Sequence, residues 1–107
     1  MSDVIECPVE TTLVLISNKW KVLIIRDLLD GTKRFGELKA SIGSITQKVL
    51  TANLRDMEQQ GLVIRTVFPE VPPRVEYSLT ETGHSLKPIL DAMLIWGEDY
   101  KNKRNKK

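Results

Sequence analysis

The segment Thr46-Gln47-Lys48-Val49-Leu50-Thr51-Ala52-Asn53-Leu54-Arg55-Asp56-Met57-Glu58-Gln59-Gln60-Gly61 carries the clearest helical signal in the chain. Thr46 suits an N-cap, because its hydroxyl can accept a free N–H of the first turn. Leu50, Leu54 and Met57 recur at helical spacing and define one apolar face, and Gly61 ends the run. Upstream, Phe35, Leu38 and Ile42 mark a short helix that Gly43-Ser44-Ile45 breaks, so the pair predicts a helix-turn-helix. Downstream the period changes to two, with Val63, Arg65 and Val67 alternating with Ile64, Thr66 and Phe68. A second strand is expected from Arg74 to Leu79, with Val75, Tyr77 and Leu79 on one face. Pro69-Glu70-Val71-Pro72-Pro73 lies between the two, and its prolines cannot donate ladder hydrogen bonds, which marks a hairpin tip. A hairpin after a helix-turn-helix is a wing. Alone it would be marginal in water, so it must lean on the helices, with room for a short extra strand near Lys33-Arg34.

Working outward, Cys7-Pro8-Val9-Glu10 opens a first helix with proline where an N-terminal turn tolerates it, and Val9, Leu13 and Ile16 form a stripe. Lys19 to Leu29 is apolar on more than one face and is expected at the centre of the core, ending at Asp30-Gly31. Thr80-Glu81-Thr82 opens the last helical region, where Leu86, Ile89, Leu90, Met93, Trp96 and Tyr100 recur at three- and four-residue spacing. Pro88 should start or kink that helix. Lys101 to Lys107 has no apolar residue and is expected to be a frayed basic tail. The fold class that follows is mainly α with a small β-hairpin, a winged helix-turn-helix with terminal helices suited to dimerisation.

A length of 107 residues suits one domain, spanning residues 1–107, and 41% hydrophobic with 28% charged residues suits a folded soluble protein. The sequence has no membrane-length apolar run, and Met1 to Glu6 lacks the regions of a signal peptide, so a cytoplasmic location is expected. One cysteine and one histidine exclude an internal disulfide and a Cys/His zinc cluster, and no cofactor site is legible. Paired carboxylates, a nucleophile with its base and a Gly-rich phosphate loop do not stand out, so no enzyme is expected.

The formal net charge of +2 averages unlike regions. The tail holds five of the 16 basic residues, and the rest of the chain is net acidic. Yet Lys33 to Arg55 carries five basic residues against the single acid Glu37, which suits a double-stranded DNA partner. On the Thr46 helix, Gln47, Lys48, Thr51 and Arg55 fall away from the buried face. A glutamine amide can pair with adenine, and lysine or arginine can reach guanine or phosphate. The plain alternative is a solvated helix face. Lys33 and Arg34 look like phosphate-positioning residues. Arg74, beside the tip prolines, either reaches DNA or pairs across the hairpin with Glu70 or Glu76. Leu90, Met93, Trp96 and Tyr100 give the last helix more apolar surface than one small body covers, and a subunit interface would absorb the excess.

Taken together, several segments resemble the HxlR-type regulators, a MarR-like winged helix-turn-helix family. They are Cys7-Pro8-Val9-Glu10, Lys19-Trp20-Lys21, Arg34-Phe35-Gly36-Glu37-Leu38, Ile45-Thr46-Gln47-Lys48-Val49-Leu50-Thr51, Pro69 to Leu79 and Trp96-Gly97-Glu98. The chain departs from the pattern at Ala52 and Asn53. The resemblance implies a homodimeric, DNA-binding transcription factor of bacterial or archaeal type, with dimer contacts from the first helix (Val9, Leu13) and the last. It places Thr46 among the DNA-facing residues and makes Cys7 a candidate thiol switch, the alternative being a residue packed at the dimer seam. A winged-helix protein–protein module without DNA binding is the competing function. The effector is not legible.

Overall fold

Asn18 accepts the Lys21 backbone N–H on its side-chain oxygen at 3.0 Å and so caps the central helix, α2 (Lys19–Leu29). In this computed structural model, which describes residues 7–16 and 18–105, α2 follows α1 (Pro8–Leu15). Next come β1 (Lys33–Arg34), α3 (Phe35–Ile42), α4 (Gln47–Gln59), β2 (Val63–Phe68), β3 (Arg74–Leu79), α5 (Glu81–His84) and α6 (Lys87–Asn105). Ile24, Ile25 and Leu28 of α2 are fully buried against Leu38, Leu50, Leu54 and Met57 of α3 and α4. Leu62, Val63, Tyr77 and Leu79 close the core from the sheet side, and Leu86 and Leu90 from the last helices.

The three strands are antiparallel in the order β1-β3-β2. Val63 faces Leu79, Arg65 faces Tyr77 and Phe68 faces Arg74, while Lys33 and Arg34 pair with Tyr77 and Glu76. The short strand expected beside the hairpin is therefore present, and it ties the start of the helix-turn-helix to the wing. A glycine is required at Gly43 (φ +81°) and Gly61 (φ +77°), where the chain leaves α3 and α4 in the left-handed region. Gly83 matters for another reason, since a Cβ there would collide with the Leu62 carbonyl oxygen.

Three expectations need correction. Residues 101–105 are not frayed, because α6 continues through Asn105; lysine and arginine are good helix formers, and Lys103 and Arg104 lie favourably at a helix C-terminus. Lys106 and Lys107 fall outside the described residues. The final helical region is two helices, and Pro88 stands at the second position of α6, starting it rather than kinking it. Leu90 is turned inward, 9% exposed, so it serves this chain's own core and offers little surface to a partner.

Candidate nucleic-acid interface

The turn between α3 and α4 is held by the buried Ile45 and by Thr46, whose Oγ1 accepts the Val49 N–H at 3.1 Å. With Leu50, Leu54 and Met57 directed into the core, the opposite face of α4 is fixed by geometry. Gln47, Lys48, Ala52 and Arg55 are exposed there, and with the half-buried Thr51 they line one shallow groove. This is the surface the sequence assigns to DNA. Among the described residues, Lys33, Arg34, Lys48 and Arg55 form no ion pair, so their charge is available to an anionic partner. Arg34 precedes α3, and its backbone N–H donates to Glu37 Oε1 at 2.8 Å, which sets the helix start while leaving the guanidinium exposed.

Asn53 does not belong to that surface. It is 7% exposed; its Oδ1 accepts from Asn18 Nδ2 at 3.2 Å, and its Nδ2 donates to the Val49 carbonyl at 2.8 Å. The departure at Asn53 thus falls on the inner side of α4, where it joins the reading helix to the cap of α2. Lys21 is a second buried polar residue that sequence reasoning missed. Its Nζ lies 3.7 Å from Asp56 of α4 while its stem is buried. Sequence carries no signal for either, because both look like ordinary solvated positions.

At the wing, Arg74 pairs with both carboxylates, Glu70 in the loop and Glu76 on its own strand, and its cross-strand neighbour is Phe68. Its guanidinium lies 3.2 Å from Glu70 and 3.6 Å from Glu76 and stacks over the Phe68 ring at 4.0 Å. Arg34, Phe35, Val71 and Pro73 share a cleft with it, so β1 and the wing tip form one continuous edge beside α3.

The chain ends present a different surface. No residue of α1 is buried, and Val9 is 67% exposed with Leu13 and Val14 beside it. On α6, Met93, Leu94, Ile95, Trp96 and Tyr100 are all exposed, and the Trp96 and Tyr100 rings stack at 5.2 Å between centroids. Cys7 is exposed at the start of α1, its carbonyl accepting the Thr11 N–H at 3.0 Å. Among the described residues no cluster of His, Cys, Asp and Glu could hold a metal ion, and no helix is long and apolar enough to cross a membrane.

A family model described as HxlR-like helix-turn-helix matches residues 15–105. The chain belongs to the HxlR-like helix-turn-helix family. It is 49% identical over 100 residues to the HTH-type transcriptional regulator YdeP of Bacillus subtilis, an alignment covering 94% of this chain and 78% of YdeP. The redox regulator HypR in its oxidised form is similar in structure, with a TM-score of 0.82 at 50% identity over 87% of this chain and 96% of HypR. The HTH-type transcriptional regulator ytcD gives 0.86 at 47% identity over 90% and 98%. This HxlR-like chain is a DNA-binding transcriptional regulator with a winged helix-turn-helix fold. The family consists of transcriptional regulators, and an interaction module without DNA binding is not favoured.

Proposed function

We propose that this HxlR-like regulator acts as a cytoplasmic homodimer on a pseudo-palindromic operator, with residues 1–107 forming one domain. The observation that carries it is a division of surfaces. Unpaired cations and a glutamine cluster around α4 and β1, whereas most of the exposed large apolar side chains lie on α1 and α6, with Ile64, Val67 and Val71 of the wing apart from them. Gln47, Lys48, Thr51 and Arg55 enter the major groove, with Thr46 at the helix start, and Lys33 and Arg34 position phosphates. Val9, Leu13, Met93, Trp96 and Tyr100 meet a second copy, which sets two reading helices about 34 Å apart on half-sites roughly 10 base pairs apart.

The test is duplex binding by anisotropy across a salt series, in the parent and in a Gln47→Ala, Lys48→Ala, Arg55→Ala triple variant. Log affinity should fall with log salt by about 0.9 per neutralised phosphate, and the triple variant should bind more weakly with a flatter slope. A folded triple variant that binds as tightly as the parent refutes the assignment. A redox input through Cys7 is the second element. It is favoured by the exposure of Cys7 at the start of the apolar α1 and by the 50% identity to HypR, itself a redox regulator.

A further inference from the structure

Between α4 and the sheet lies a recess lined by Thr51, Leu54, Arg55, Glu58, Arg65 and Tyr77. It opens beside the reading face, since Thr51 and Arg55 line both. Arg65 reaches it because Val63, Arg65 and Val67 share the helix-facing side of β2, and the core ends after Val63. Neither Arg55 nor Arg65 forms an ion pair among the described residues, although Glu58 lines the same recess. Tyr77 supplies an independent observation. Its ring is packed away, the residue being 8% exposed, while its hydroxyl makes no hydrogen bond among the described residues and is not sealed from solvent, so a phenolic donor is open at the wall of the recess. A phenolic hydroxyl open to the recess can donate to an oxyanion seated between the two guanidiniums, a charge-assisted bond stronger than one to water.

We propose that Arg55, Arg65, Thr51 and Tyr77 form a seat for one backbone phosphodiester of the bound duplex, with Glu58 limiting the charge it accepts. The inference rests on the DNA-binding reading and extends it to the wing strand. Two guanidiniums and one carboxylate leave a net +1, which a diester at −1 neutralises. A free phosphate or a phosphomonoester, at about −1.5 to −2, would overfill it. The wing's contact with DNA then runs through Arg65 on β2, while Arg74, neutralised by Glu70 and Glu76, holds the shape of the tip.

The experiment uses the full chain and a random-sequence duplex long enough for two half-sites, titrated across a salt series. Arg65→Ala should flatten the log–log slope by about 0.9, one phosphate's worth, while Arg65→Lys keeps the slope. Tyr77→Phe retains the packed ring and should weaken binding on the order of tenfold, the loss of one hydrogen bond to a charged acceptor. Glu58→Gln should tighten it. Denaturation curves establish that each variant is folded. If Arg65→Ala keeps the parent slope and affinity, the seat is wrong while the regulator reading stands; if the parent itself shows no salt-dependent duplex binding, both fall. Inorganic phosphate should displace the duplex no better than sulfate at equal ionic strength. Stronger, Arg65-dependent displacement would make this a free-anion site and overturn the proposal.

Discussion

Gly83→Ala separates packing from propensity, because the two predict opposite signs. Alanine in place of a helical glycine gains up to about 1 kcal/mol from backbone entropy. In this fold Gly83 lies against the segment joining α4 to the wing. An added Cβ would overlap the Leu62 carbonyl oxygen and stand 3.0 Å from Leu79 Cδ2 and 3.2 Å from Leu79 Cβ. The Leu62 oxygen cannot simply retreat, since it accepts the Thr80 N–H at 3.0 Å, and Thr80 Oγ1 also accepts the Gly83 N–H at 2.9 Å. Relief therefore means moving α5 off the Leu62 turn. Overpacking of this kind costs about 1–3 kcal/mol, and losing the Thr80 hydrogen bond adds about 1. After the propensity gain, a net loss of about 1–3 kcal/mol remains, which lowers the urea midpoint by roughly 1 M. Gly36→Ala is the control, having open space around its Cβ position and no positive φ, and it should leave the midpoint unchanged or slightly raised. Urea curves for both variants decide the matter. A Gly83→Ala protein more stable than the parent would refute the close approach of α5 to Leu62.

Trp96→Glu places a charge amid Met93, Leu94 and Tyr100 and should shift sedimentation from dimer towards monomer, weakening duplex binding by a similar factor. If Cys7 senses oxidants, diamide or a quinone should change duplex affinity in the parent and leave Cys7→Ser unaffected; identical curves for all samples would assign Cys7 to packing alone. Arg74→Ala should cost less than about 1 kcal/mol, since its partners are partly exposed, but it should speed hydrogen exchange at the Glu70 amide, which donates to the Phe68 carbonyl at 2.8 Å. Val63 and Leu79, paired deep in the sheet, should exchange as before.

The reading helix was legible because Leu50, Leu54 and Met57 repeat at a period that only one face satisfies, and the structure buries all three. The short strand at Lys33–Arg34 was legible from energetics, as a lone hairpin needs support. Asn53 was not, because periodicity assigns polar residues outward and cannot see that Asn18 reaches the inner side of α4. Arg74 stayed open between DNA and carboxylates, since Glu76 shares its face two residues along β3 but Glu70 reaches it only through the way the proline loop folds back, which no periodicity encodes. Leu90 belongs to the same stripe as Met93, and only the packing of α2 against α6 distinguishes them. Arg65 was read only as a member of the alternating strand pattern, and its role emerges from the recess it shares with Arg55.

The pairing of Lys33 and Arg34 with β3 has a thermodynamic consequence. Strand β1 runs directly into α3, so the helix-turn-helix and the wing are joined through backbone hydrogen bonds before any DNA is met. Such a head docks as a preformed body and avoids the entropy loss of ordering a mobile hairpin on the duplex. Calorimetry of duplex binding should then give a heat-capacity change matching the apolar area covered at the interface, without the additional negative contribution that accompanies folding on binding. Any adjustment to half-site spacing has to be absorbed elsewhere, between the two heads of the dimer.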